Sequence, residues 1–233
     1  MIAVILAAGM GNRLHGLNNG LPKGFLKPKG LCFNGVNESL IVRSLRILKE
    51  CKIGEVWIVA GYCGELYEEL TREISNEKFK VNVLWNRNYS MGDSADSFFC
   101  AREVISSDFL LLESDILYEK RAVSALLGND KESVVLCSAL SGIDDAVFVE
   151  SYKERVKNIS KDFFSLKSIF GEFVGISKIS YGDFLNFDFR DKIFYEELLL
   201  GLSVLKISDL LWCEIDNELH LNYAESKIIP KLK

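Results

Sequence analysis

The sequence predicts an α/β fold in a single domain, a mostly parallel but mixed sheet sandwiched by helices, and three observations lead there. Short apolar runs suited to buried strands recur as IAVIL at 2–6, EVWIVA at 55–60, VNVLW at 81–85, DFLLLES at 108–114 and SVVLC at 133–137. Helix-length patterns separate them, the alternation that builds a parallel sheet covered on both faces. A long glycine-rich loop, ILAAGMGNRLHGLNNGLPKGFLKPKG at 5–30, follows the first run directly.

The opening MIAVILAAG is too short for a membrane span and lacks the basic leader of a signal peptide, so it reads as a buried strand. In NESLIVRSLRILKEC, Ile41, Leu45 and Leu48 share one helical face, with Asn37 as the expected cap. CGELYEELTREI and YEKRAVSALL follow the same pattern. Farther on, DAVFVES, RVKNIS and GEFVGISKIS succeed one another with turn-like breaks, which predicts an antiparallel or mixed addition to the same domain, 1–233.

Composition narrows the function. With 48% apolar and 26% charged residues the chain is globular, and a net charge of −5 offers no basic surface to a polynucleotide or an anionic membrane. The six cysteines, at 32, 51, 63, 100, 137 and 213, form no C-x-x-C pair and have no clustered histidine to complete a zinc site, so they read as reduced thiols of a cytoplasmic protein. The two histidines, His15 on the loop and His220 in a terminal helix, are assigned no catalytic role.

A glycine loop behind a first strand brings backbone amides close to phosphate. The dinucleotide pattern G-x-G-x-x-G breaks at Leu14, and no Gly-Lys-Ser or Gly-Lys-Thr of a Walker A loop occurs. What remains is a long loop over a nucleoside triphosphate, with Arg13 and Lys23 supplying positive charge. Leu6-Ala7-Ala8-Gly9-Met10-Gly11-Asn12-Arg13-Leu14 followed by Pro22-Lys23 resembles the signature of nucleotidyltransferases with the nucleotide-diphospho-sugar transferase (GT-A-like) fold.

Within that superfamily the chain resembles the 2-aminoethylphosphonate and phosphocholine cytidylyltransferases over PKGFL at 22–26, FLLLESDILYE at 109–119, GEFVGISKIS at 171–180 and LLWCEIDNELHL at 210–221. The resemblance implies transfer of CMP from CTP to a small zwitterionic phosphonate or phosphate, with pyrophosphate released, for phosphonate attachment to cell-surface lipids or glycans. It also implies Mg²⁺, held by Asp115 after a central strand and Asp216 near the C-terminus. A rival reading has each aspartate capping the following helix, and Glu113 and Glu214 are nearby alternatives for the metal or, turned by strand alternation to the same side as their aspartates, supporting groups. Leu6, Ala8, Gly9, Gly11, Gly61, Tyr62 and Ser94 are the expected nucleotide contacts.

For the acceptor, Lys161 matches a lysine that related transferases place beside the phosphate. Asp144 and Asp145, read as the start of a strand, and Tyr195 with Glu196 are expected at the cationic end. At NYSMGDSADSFF the chain carries Asp93 and Asp96 where those relatives are more aromatic, which favours a primary ammonium. Some relatives are fused to an aminotransferase, so a fusion or association of that kind is expected. A sugar-1-phosphate nucleotidyltransferase and a non-enzymatic nucleotide-binding module are the alternatives.

Overall fold

Every apolar run named above becomes a strand of one sheet, which has nine strands among the described residues. The computed structural model describes residues 1–14 and 16–232; His15, expected on the loop surface, lies outside them. In chain order the strands are β1 (Ile2–Ala7), β2 (Cys32–Phe33), β3 (Val36–Asn37), β4 (Glu55–Ala60), β5 (Lys80–Trp85), β6 (Phe109–Glu113), β7 (Ile116–Tyr118), β8 (Val134–Ser138), β9 (Phe148–Tyr152), β10 (Arg155–Ser160), β11 (Gly171–Ile179), β12 (Ser203–Lys206) and β13 (Trp212–Glu214). The α-helices are α1 (Leu40–Glu50), α2 (Gly64–Ile74), α3 (Ser94–Cys100), α4 (Arg121–Leu127), α5 (Tyr181–Leu185) and α6 (Glu218–Tyr223).

The sheet runs β5-β4-β1-β6-β11-β8-β12-β10-β9, and its first four strands are parallel. As the second half predicts, β11 is antiparallel to β6 and β8, and β9 and β10 form an antiparallel hairpin. Strand alternation divides the core. Ala3, Ile5 and Ala7 of β1 pack with α1, α2 and α4, whereas Val4 and Leu6 pack with Phe98 of α3 and Phe184 of α5. A third cluster fastens the glycine loop, through Leu14, Leu26 and Leu31, onto Ile228 and Ile229 near the C-terminus.

Four details differ from the sequence reading. Helix α1 buries Ile41, Leu45 and Leu48 as expected, but its cap is Ser39, whose hydroxyl accepts from the Val42 amide at 3.4 Å. Asn37 is instead committed to the β2–β3 pairing. Asp115 caps no helix, because β7 follows it directly, and the cap of α6 is Asn217 rather than Asp216. Asp144 and Asp145 do not begin a strand. They form the turn before β9, with Asp145 at a left-handed φ of 68°.

Candidate active site

Strand β1 has β4 on one side and β6 on the other, so successive crossovers leave it in opposite directions; open α/β sheets gather ligands at the carboxyl ends around such a point. Here Leu6, Ala8, Gly9, Lys23, Asp93, Ser94, Glu113, Asp115, Tyr195 and Glu214 line a cleft of about 340 Å³. Of the expected nucleotide contacts, Gly61 and Tyr62 stand behind this wall. The Tyr62 amide donates to the Ala8 carbonyl at 3.1 Å and its hydroxyl to the Gly20 carbonyl at 2.9 Å, which ties the start of the glycine loop to its middle. Gly11 has φ +63°, and a β-carbon there would lie 2.7 Å from Lys23 Cγ. Glycine at this position lets the Lys23 stem cross the loop.

The charges expected to act together do meet. Lys23 Nζ donates to Asp115 Oδ2 at 2.7 Å and to Asp216 Oδ1. The Arg13 guanidinium reaches Asp216 Oδ2 at 2.9 Å and Asp145 Oδ2 at 2.5 Å. Burial works against the Lys23 ammonium, but Asp115 and Asp216 outweigh it and raise its pKa above the ordinary lysine value. Burial likewise pushes the Asp216 carboxyl up, yet Lys23 and Arg13 reverse this and bring it to about 2. Asp216 is therefore an ionised carboxylate between two cations.

A second acidic group sits beside the first. Glu113, Asp115 and Glu214 each offer a carboxylate oxygen, and these oxygens lie within 4.8 Å of one another. Burial, then the charges of Asp115 and Glu196, push the Glu113 carboxyl up to about 8, and burial with Glu113 and Asp115 raises Glu214 as well. Tyr195 donates its hydroxyl to Glu113 Oε1 at 2.8 Å. Gly175, at φ +77°, makes room for this carboxyl: a β-carbon there would stand 2.4 Å from Glu113 Oε2. Half-buried, mutually repelling, all-oxygen groups of this kind fit a hard divalent cation such as Mg²⁺. Asp115 belongs both to this group and to the Lys23 pair, while Asp216 belongs to the cation pair. Glu113 and Glu214, the expected alternatives or supports of the two aspartates, thus stand with Asp115 in the one acidic cluster among the described residues that could hold a metal ion.

The acceptor candidates divide. Lys161 Nζ lies 3.4 Å from Asp145 Oδ1, so Asp145 links Lys161 to Arg13. Asp144 turns the other way, to His220 Nε2 at 2.8 Å. Tyr195 is 2% exposed, with its ring packed edge-on against Phe98 and Phe173. Glu196 faces a separate small pocket with Val147, Ile159, Ser160, Lys161 and Phe194, and its Oε2 is buried without a hydrogen-bond partner. Of the two extra acids, Asp93 lines the cleft, whereas Asp96 accepts the Asp93 amide at 3.2 Å in the first turn of α3. Ser94 accepts the Tyr195 amide at 3.1 Å.

Sequence reasoning missed Tyr67, Tyr89, Ser97 and Ser114 in the cleft wall. Tyr89 follows β5 in an irregular segment with no periodicity to single it out. Its only sequence trace is Gly61, against which its ring packs.

The family model for the MobA-like NTP transferase domain matches residues 3–170, which covers the glycine loop, the Asp115 strand end and Lys161. The chain belongs to this family. It is a nucleotidyltransferase, and its sheet and helices form the nucleotide-diphospho-sugar transferase fold. Among relatives, the CTP:phosphoglutamine cytidylyltransferase of Campylobacter jejuni is 24% identical over 197 residues, 78% of this chain and 74% of that protein. The choline-phosphate cytidylyltransferase of Streptococcus pneumoniae is 28% identical over 120 residues, 51% of this chain but only 47% of that one. The CMP-5'-(3-aminopropyl)phosphonate synthase of Streptomyces rubellomurinus is 27% identical over 139 residues, 58% of this chain and 20% of the synthase. In fold, the solved inositol-1-phosphate CTP transferase from T. maritima superposes with a TM-score of 0.78 at 21% identity, covering 98% of this chain and 94% of that one. No described helix of this MobA-like transferase is long and apolar enough to cross a membrane.

Proposed function

We propose that the protein is a cytidylyltransferase that moves CMP from CTP to 2-aminoethylphosphonate. The observation that carries the transfer is Lys23, held between Asp115 and Asp216 on the floor of the cleft with Arg13 beside it. A phosphonate oxygen of the acceptor attacks the α-phosphorus, a new P–O bond forms, and the bond to the β-phosphate breaks with pyrophosphate leaving. The acceptor oxyanion is already a nucleophile at neutral pH, so no general base is needed.

Each of the chain's own groups then has a task. The amides of Gly9 and Gly11 bind phosphate, and Leu6 and Ala8 with Gly61 and Tyr62 behind them shape the base pocket. Ser94 fixes the nucleotide side of the cleft. Arg13 and Lys23 exchange carboxylates for phosphate oxygens and oppose the charge that develops on the leaving pyrophosphate. Asp115 and Asp216, joined by Glu113 and Glu214, would hold Mg²⁺, which supplies further charge neutralisation at the triphosphate. Lys161, paired with Asp145, positions the acceptor head.

The CTP preference is supported by the relatives, a CTP:phosphoglutamine cytidylyltransferase, a choline-phosphate cytidylyltransferase and a CMP-5'-(3-aminopropyl)phosphonate synthase. The amine is supported by Glu196 Oε2, a buried acceptor without a partner. An orphan carboxylate oxygen calls for an N–H donor, which a primary ammonium has and a quaternary one lacks. Tyr195 offers no open aromatic face, since its ring is packed and its hydroxyl committed. An aminotransferase fused to or associated with this chain belongs to the same proposal. The test is pyrophosphate release from four NTPs against 2-aminoethylphosphonate, choline phosphate and sugar 1-phosphates in the presence of Mg²⁺. Equal rates with ATP or GTP overturn the CTP assignment, and faster turnover of choline phosphate or a sugar phosphate overturns the acceptor.

A further inference from the structure

His220 is buried at 2% exposure, yet both of its ring nitrogens are engaged with residues of the candidate site. Nδ1 accepts the Asp216 amide at 3.3 Å. A backbone amide can only donate, so Nδ1 carries no proton and Nε2 does. Nε2 then donates to Asp144 Oδ1 at 2.8 Å; the Asn217 Nδ2, 3.2 Å away, is itself a donor and cannot accept that proton.

These two bonds close a ring through three distant segments of the chain. Asp144 is followed by Asp145, which holds Arg13, which holds the Asp216 carboxylate, whose own amide returns to His220. The turn at 144–145 belongs to no strand, and Asp145 takes the left-handed backbone that aspartate can adopt in a turn, so no strand pairing fixes where its side chain points. We infer that His220 is a positioning residue for nucleotidyl transfer: by holding Asp144 it fixes the turn that aims Asp145 at Arg13 and Lys161. Asp144 is then a tether, and its charge does not meet the acceptor. This inference rests on the transferase reading of the site.

The experiment combines kinetics with the ring spectrum. With CTP and 2-aminoethylphosphonate, Asp144→Ala raises the acceptor KM by about tenfold, the scale seen when a group that orients a site residue is removed. Asp144→Asn stays near wild type, because its amide oxygen still accepts the Nε2 proton. His220→Gln, whose amide can both accept and donate, retains more activity than His220→Leu. Nitrogen-15 spectra of the imidazole show an Nε2–H tautomer in the wild type that becomes mobile in Asp144→Ala. Because the Asp144 side chain is 68% exposed, that variant should fold even where a His220 variant fails. A wild-type acceptor KM in Asp144→Ala, an Asn variant as impaired as the Ala variant, or an Nδ1–H ring each overturns the inference. If the wild type releases no pyrophosphate with any acceptor, the transferase reading falls and the role in transfer with it, while the spectrum still decides whether the tether exists.

Discussion

Lys23 Nζ lies 2.7 Å from Asp115 Oδ2, so the loop cation is paired with a carboxylate at the end of the central strand before any substrate arrives. Removing it affects two properties. Lys23→Ala should lower turnover on the order of a hundredfold, by analogy with the loss of one oxyanion donor. It also leaves Asp115 and Asp216 facing each other without their shared ammonium, which lowers the thermal midpoint, and added Mg²⁺ should recover part of that loss. Near-normal turnover in a folded variant removes Lys23 from the catalytic groups.

Asp115→Asn and Asp216→Asn separate charge from shape. Neither aspartate caps a helix, so the equivalence of Asn and Asp at caps gives no shelter here. Each change keeps the size of the side chain and removes the negative charge that a hard cation and Lys23 both require. Both variants should fold and lose Mg²⁺-dependent CMP transfer. Retained activity at ordinary magnesium in either one excludes that residue from the metal group.

The half-buried Glu113 sets a pH dependence of stability. Its carboxyl is raised from 4.5 to about 8, so between those values the folded chain holds a proton that the unfolded chain has released. Stability falls with rising pH wherever the native state binds more protons, so this contribution is complete below about pH 4.5 and is lost as pH rises through about 8. In EDTA, urea midpoints of the wild type should decline across that window. Glu113→Gln, which is neutral throughout, should decline less, and an identical slope refutes the assignment.

Ser39→Ala supplies a control remote from the chemistry. Loss of the hydroxyl that accepts the Val42 amide should cost about 1 kcal/mol by urea unfolding and leave kcat and KM unaltered. A change in KM would mean that α1 also orders the glycine loop that packs beside it.

By itself the sequence determined the layered α/β architecture and the loop that carries Arg13 and Lys23. Apolar runs of strand length, helical faces such as Ile41, Leu45 and Leu48, and glycines in a fixed order are local properties, and the physics that reads them acts over a few residues. Asp115 and Asp216 were legible too, because each ends an apolar run where a strand must stop. The tertiary structure decided what depends on separation in space rather than along the chain. It brought the carboxylates of Glu113 and Glu214 together, since the β11 bulge at Gly175 opens room for one carboxyl and the pairing of β7 with β13 delivers the other. It buried Tyr195, which the sequence had left near the acceptor, because edge-on packing with Phe98 and Phe173 favours the interior over the surface. It also turned Asp144 toward His220 and Asp145 toward Arg13, two neighbouring acids whose partners lie 76 and 132 positions away. Local patterning carries no information over such distances; only the packing of the sheet and the C-terminal segment does.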